Sequence, residues 1–210
     1  MTELPLMIDF LHYAEKLKYE LRHSYTSSGR QESVAEHTWR MALMAILVEP
    51  HLDKKIDIAK TLKMILIHDL VEVEAGDTPL SKMVRNPELR KEKEEKEKKA
   101  IENIRLMLHN DVGNEISSLW YEFEQRETYE AQVAYALDKL EVQLQHNEAD
   151  IKTWEPIEYG FIYSRRPYVQ FDSCLKALCE LIEKQAEEKL ISAGIDLEPI
   201  KMKAFETPSI

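Results

Sequence analysis

Glycine is scarce in this chain, with five in 210 residues against a usual share of about 7%. That scarcity argues against glycine-rich phosphate loops, dinucleotide-binding turns and tight β-hairpins. Cysteine is scarcer still. Cys174 and Cys179 lie inside a helical pattern and form neither a Cys-x-x-Cys pair nor a disulfide framework, so a reducing compartment, the cytoplasm, is expected. The longest apolar run, Met41 to Val48, is far too short to span a bilayer. No basic stretch followed by an apolar one opens the sequence, so no signal peptide is expected. Positive charge is also in deficit: 28 Lys and Arg face 39 Asp and Glu, for a net charge of −11. Such a chain is poorly suited to a nucleic-acid backbone or an anionic membrane, whereas a small anionic ligand needs only a few local cations. What is plentiful is apolar residues at 44% and charged ones at 32%, the balance of a soluble globular protein, and the length fits one domain.

Helical periodicity runs through almost every segment. Leu6, Phe10, Ala14, Leu17 and Leu21 share one face. The polar stretch from Ser24 to Gln31, with Ser27, Ser28 and Gly29, reads as a loop. Ser33 and Glu36 then fit a capping box, opening a helix that carries His37, Met41, Met44, Ala45 and Val48 and stops at Pro50. The next helix starts near Asp57, runs through Ile58, Leu62, Ile65 and Leu66 to His68 and Asp69, continues through Glu72 and ends near Gly76. Asn86 and Pro87 restart a helix whose residues Glu88 to Lys99 are nearly all charged. Favourable pairs at i,i+4, such as Glu92 with Lys96, mark that stretch as a solvated face without a binding role. Ile101, Ile104 and Leu108 return the helix to the core. Ile116, Leu119 and Phe123 mark a further helix, and Val133, Leu137, Leu140 and Leu144 another. The segment from Ile151 to Arg166 has no clear period and reads as an irregular connection. Phe171, Cys174, Leu175, Leu178 and Ile182 form a last long helix closed by Gly194. No segment reads as a strand. The expectation is one all-α domain over residues 1–210, of about six or seven helices, with a less patterned tail from about residue 197.

Chemistry is expected where polar residues interrupt apolar stripes. His37 precedes Met41 by one turn on a buried stripe, His68 and Asp69 break the stripe of their helix, and Asp138 lies between Leu137 and Leu140. Each alone is most simply a hydrogen-bonded core residue. Together, two imidazoles and two carboxylates on three core helices need a common partner, because burying them unpaired is costly. Neighbours on a helix diverge by about 100°, yet His68 and Asp69 can both reach an ion lying beside it. A mixed set of two nitrogens and two oxygens suits Mn²⁺, Fe²⁺, Co²⁺ or Zn²⁺. Glu72, one turn after His68, faces the same side, and Asp77 follows near the same helix end.

The order His37, His68-Asp69, Asp138 resembles the H…HD…D signature of the HD-domain metal-dependent phosphohydrolases. The stretches Arg30-Gln-Glu-Ser-Val-Ala-Glu-His37 and His68-Asp-Leu-Val-Glu-Val-Glu-Ala-Gly-Asp77-Thr-Pro79 resemble the 5′-deoxynucleotidase branch of that superfamily. The likeness covers roughly residues 6 to 190 and is strongest over residues 22 to 80. It implies a helical HD-domain bundle that hydrolyses deoxynucleoside 5′-monophosphates. It implies that His37, His68, Asp69 and Asp138 hold a divalent cation (Mn, Co, Fe or Zn), with Mg²⁺ at a second site in some members, at the counterparts of Glu72 and Asp77. Glu72 would transfer a proton and Arg22 would orient the phosphate. Arg22, His23, Asp69, Asp77, Thr78, Pro79, Leu80 and Asp138 would face the substrate, with Asp77 to Leu80 at the sugar. Homodimers are usual in such proteins. Trp120, Tyr121 and Phe123 read equally as a face of that interface or as core. One departure stands out: the branch carries a Trp at or just after the phosphate-orienting Arg, where this chain has His23, Ser24 and Tyr25. That implies weaker selection of deoxyribose over ribose. The alternatives are another HD-type hydrolase, acting on guanosine polyphosphates or nucleoside triphosphates, and a non-catalytic nucleotide-binding regulator.

Overall fold

The computed structural model describes residues 3–109 and 111–206. Ten α-helices are found among them: α1 (Glu3–Ala14), α2 (Val34–Val48), α3 (Ile58–Ile67), α4 (Glu72–Ala75), α5 (Leu80–Arg85), α6 (Glu88–Leu108), α7 (Asp111–Gln125), α8 (Tyr129–Glu148), α9 (Ser173–Ser192) and α10 (Glu198–Glu206). The all-α expectation holds, with more and shorter helices than expected. No helix among the described residues is long and apolar enough to cross a membrane.

The helix starts follow from side-chain caps. Ser33 Oγ accepts the Glu36 amide and Glu36 returns its carboxylate to the Ser33 amide at 2.9 Å, the capping box that launches α2. Asp57, Thr128 and Asp172 cap α3, α8 and α9 in the same manner. Helix α8 packs against α2, α3, α7 and α9, which is why Ala131, Val133, Ala134, Ala136, Leu137 and Leu140 are all fully buried. Around it lie Val34, Met41 and Ala45 of α2 and Met64 and Ile65 of α3. The close approach of α7 to α6 depends on one glycine. A Cβ on Gly113 would sit 2.6 Å from the Arg105 carbonyl oxygen, so no larger residue permits that approach.

The structure corrects four expectations. A small antiparallel hairpin, β1 (Leu21–Tyr25) and β2 (Gln31–Ser33), stands where a loop and no strand were expected. β1 alternates in burial, but its inward residues are the polar Arg22 and Ser24 while Leu21 faces out, so no apolar period marks it, and the hairpin packs on α8. The helix expected to run from Asp57 to Gly76 is broken: α3 stops at Ile67, residues 68–71 form turns, and α4 resumes at Glu72. The irregular connection is largely 3₁₀ helix, at Ile151–Thr153, Pro156–Tyr163 and Arg166–Tyr168. The tail is not unpatterned. Leu197 is buried with Trp154, Ile162, Tyr163, Ala186 and Leu190 in a second apolar cluster, and α10 packs on the 156–163 segment. Residues 207–210 of that tail lie outside the described residues.

The aromatic trio also resolves. Trp120 and Phe123 are core, and of the three only Tyr121, 40% accessible, faces outward. The Trp120 indole N–H donates to the carbonyl of His68 at 3.1 Å, which ties α7 to the turn after α3.

Candidate functional site

The break after α3 is the local event that builds the site. His68 and Asp69 leave the helix together, so the His68 Nε2 and Asp69 Oδ2 atoms come within 3.1 Å of each other. From α2, His37 brings its Nε2 to 3.8 Å from Asp69 Oδ2 and 3.2 Å from Asp138 Oδ1 on α8. Ligand atoms of His37, His68 and Asp69 all lie within 4.8 Å of one another. Asp138 touches this group through His37, while its other oxygen pairs with Lys139 Nζ at 2.7 Å. The four residues expected to act together are therefore brought together.

The outer sides of both imidazoles are fixed. His68 Nδ1 lies 2.7 Å from the Ile65 carbonyl oxygen, an acceptor only, so Nδ1 carries the hydrogen. His37 Nδ1 is held by the buried carboxylate of Glu141, which also accepts from Arg40 Nε at 2.7 Å. Both Nε2 atoms are buried without a hydrogen-bond partner. An oriented imidazole with a carbonyl or carboxylate behind it and a bare nitrogen in front is the arrangement that metal-ligating histidines adopt. Burial and Arg22 push the His37 pKa down, but Glu141 and Asp138 outweigh them and raise it to about 10. The negative field that would retain a proton there is also the field that attracts a divalent cation. The donor set fits such an ion.

Around this floor opens a pocket of about 490 Å³. Arg22, on β1, is buried, 3.5 Å from Asp69 Oδ2 and 3.6 Å from Glu32 Oε2. Burial and Glu141 lift the Glu32 carboxyl to about 7. Glu72 is 3% accessible; its Oε1 accepts from Lys93 Nζ at 3.2 Å and its Oε2 has no partner. Burial first, and Asp69 next, push the Glu72 carboxyl up to about 8, against Lys93 and Arg22. Gly76, at φ 73°, turns the chain out of α4, and the Asp77 amide donates to Glu20 Oε1 at 3.1 Å. Asp77, Thr78, Pro79 and Leu80 all line the pocket. His23 lines it too, with its Nε2 3.2 Å from Glu158 Oε1.

Several residues in and behind the pocket were not expected from the sequence. Glu141 lies one turn after Asp138 in an apolar helix, a spacing that could have marked it. Lys93 and Glu97 come from the charged stretch read as a solvated face; Lys93 instead bridges Glu72 and Glu97 inside the pocket. That correction has a clear cause: α4 packs on α6, and a long lysine stem can bury its methylenes while delivering its charge. His146, Glu158 and Arg165 carried no periodic signal at all.

A buried His₂Asp₂ cluster under a mixed-charge pocket, raised on a helical frame with α8 at its centre, defines a class of metal-centred helical hydrolase folds. The chain belongs to the HD-domain family, whose model matches residues 14–170. It is 37% identical over 149 residues to the 5′-deoxynucleotidase HDDC2 of Dictyostelium discoideum, covering 67% of this chain and 76% of that protein. With the human 5′-deoxynucleotidase HDDC2 it shares 30% identity over 144 residues, covering 68% and 67%. Its fold matches the crystal structure of a predicted metal-dependent phosphohydrolase from Magnetospirillum magnetotacticum MS-1, with a TM-score of 0.77, 32% identity and coverage of 93% of this chain and 99% of the other.

Proposed function

We propose that this protein is a metal-dependent 5′-deoxynucleotidase, hydrolysing deoxynucleoside 5′-monophosphates to deoxynucleoside and inorganic phosphate. The observation that carries this reading is the pair of bare, outward-fixed Nε2 atoms of His37 and His68 facing Asp69 and Asp138 on the pocket floor. The similarity to 5′-deoxynucleotidases in organisms as distant as Dictyostelium and human supports it.

His37, His68, Asp69 and Asp138 hold the divalent cation, of the Mn, Co, Fe or Zn type. When bound, such an ion polarises a phosphoryl oxygen and lowers the pKa of its water. Arg22, always cationic, takes the phosphate oxygens, with Glu32 and Asp69 fixing the guanidinium plane. Glu72 carries a proton near neutral pH because of its burial; it would give that proton to the departing 5′-oxygen and regain one from water after the nucleoside has left. Asp77, Thr78, Pro79 and Leu80 form the wall against the sugar, and His23 stands beside it. The 156–163 segment carries Ile162 and Tyr163 of the second apolar cluster and pocket-lining Glu158 and Phe161, which favours reading residues 1–210 as one domain. Both thiols are free, in keeping with a cytoplasmic protein. For the homodimer, the exposed stripe of Trp39, Leu43 and Ile46 on α2 is the better candidate face than the buried Trp120 and Phe123.

The test is a screen of ribo- and deoxynucleoside monophosphates with Mn²⁺, Co²⁺, Fe²⁺, Zn²⁺ and Mg²⁺, reading phosphate release. Turnover of deoxynucleoside monophosphates with retention of a transition metal is expected. Release of pyrophosphate or triphosphate from other nucleotides, with monophosphates inert, would overturn it. Sedimentation of wild type against Trp39→Glu tests the dimer.

A further inference from the structure

Arg165 follows the 3₁₀ segment Pro156–Tyr163 and lines the pocket at 7% accessibility. One terminal nitrogen donates to the Phe161 carbonyl at 2.7 Å and to Ser164 Oγ at 2.5 Å, both neutral groups. Its Nε has no partner, and it makes no ion pair among the described residues. Arg90 and Arg126 also line the pocket but are exposed to water, and the other Arg and Lys side chains of the lining are matched. Arg22 meets Asp69 and Glu32, Lys93 meets Glu72 and Glu97, and Lys139 meets Asp138. Asp138 and Glu158 act on Arg165 through space only, and burial wins, lowering its pKa from the ordinary arginine value. Asp138 has no oxygen to spare, since one faces His37 and the other Lys139. A buried guanidinium without a carboxylate is costly to keep, and it stands ready for an oxyanion that arrives from outside.

Burial is the largest influence on both guanidiniums; of the cluster carboxylates, Asp69 lies 3.5 Å from Arg22, and Asp138 is the one that acts on Arg165. The two reach the same pocket from different elements, Arg22 from β1 and Arg165 from the turn after the 156–163 segment. We propose that Arg165 is a second phosphate-binding arginine, which takes the phosphoryl oxygens on the Asp138 side while Arg22 takes them on the Asp69 side. This rests on the phosphomonoester reading above, because the phosphoryl group is the one dianion that reaction brings into the pocket. A planar fork of N–H donors matches phosphate oxygens in a way an ammonium does not.

The experiment compares metal-loaded wild type, Arg165→Gln and Arg165→Lys, with inorganic phosphate as the probe. It reads the inhibition constant of phosphate, the melting temperature with and without phosphate, metal content, and kcat and KM for a deoxynucleoside monophosphate. Arg165→Gln is expected to weaken phosphate about ten- to a hundredfold, the worth of a hydrogen bond to a charged group. Its metal content stays at the wild-type level, and its melting temperature without phosphate is unchanged or higher, because an unmatched buried charge is gone. Arg165→Lys keeps the charge without the fork and is expected to lie between. A merely structural Arg165 predicts the opposite: a lower melting temperature with phosphate affinity intact. That result overturns the proposal. If Arg165→Gln does not fold, wild-type phosphate affinity in Arg165→Lys overturns it equally. A wild type that releases no phosphate from any monophosphate fails the substrate reading, whereas an active wild type whose Arg165 variants hold phosphate normally fails this inference alone.

Discussion

Two clusters of imidazoles and carboxylates line the same pocket, and they have opposite electrostatic needs. In the first, His37 and His68 turn bare Nε2 atoms toward Asp69 and Asp138, and their own hydrogens point away, to Glu141 and the Ile65 carbonyl. In the second, Glu158 stands between His23 and His146, with its Oε1 3.2 and 3.5 Å from their Nε2 atoms. Its other oxygen accepts the Glu155 amide at 2.7 Å. Despite burial, which works the other way, His146 and His23 hold the Glu158 carboxyl well below the usual carboxylate range, and Glu158 in turn raises His23. The second cluster neutralises itself with a proton. The first has two carboxylates facing two imidazoles with the Glu141 carboxylate behind, a negative field that a proton on His37 or a divalent cation can balance. Residue types alone do not separate the two; the support behind the rings does, with Glu141 and the Ile65 carbonyl fixing His37 and His68 from Nδ1.

The comparison breaks most visibly if the wrong cluster holds the metal. His68→Ala or Asp69→Ala is expected to lose bound metal and activity together, whereas Glu158→Gln and His146→Ala keep full metal stoichiometry by elemental analysis. Equal metal loss in Glu158→Gln would erase the distinction. Next in size is Glu72→Gln, which retains metal but loses roughly 10²- to 10⁴-fold in kcat, the usual worth of general acid–base catalysis. Near-normal turnover in that variant would leave Glu72 a structural residue. Glu141→Gln sharpens the contrast from behind. It weakens the grip on His37 Nδ1 and should reduce metal affinity about 10- to 100-fold in a chelator competition, while the equivalent change at Glu158 leaves it untouched.

The smallest effect is at the start of the helix that presents His37. Arg30, foremost, and Ser33 pull the Glu36 carboxyl down to about 2. A depressed carboxyl stabilises the fold above its unfolded pKa of about 4.5 and loses that contribution as pH falls toward 2. Glu36 is largely exposed, so solvent screens much of the shift. Ser33→Ala should cost about 1 kcal/mol at pH 7, read as a lower urea midpoint with an unchanged slope. Between pH 4.5 and 2 the gap to wild type should narrow as the box opens in both.

The metal-type residues were legible because each violates a pattern. His37, His68, Asp69 and Asp138 interrupt apolar stripes, and only a shared partner makes that tolerable. The capping box at Ser33 and Glu36 was equally legible, since its two hydrogen bonds are local. What escaped is what depends on distant packing. The break after Ile67 is secured by Trp120, 52 residues on, donating to the His68 carbonyl, and nothing near residue 68 announces it. Lys93 looks like any surface lysine until α4 lies against α6. Glu158 sits in a 3₁₀ segment and Arg165 in the turn between two of them, and such tight, short elements leave no amphipathic signature.

The pocket and its floor draw on residues 22–37, 68–97, 123–146 and 158–168, and that dispersal sets an order in time. During synthesis α2 and α3 are complete long before α8, the helix they must pack on. Met41, Met64 and Ile65 therefore wait in contact with water or with helper proteins until the chain has grown past Leu140. His37 acquires neither Glu141 nor Asp138 before that moment, so the growing chain cannot capture an ion in its final geometry. A product ending before Arg165 would carry the metal residues but lack one wall of the cavity.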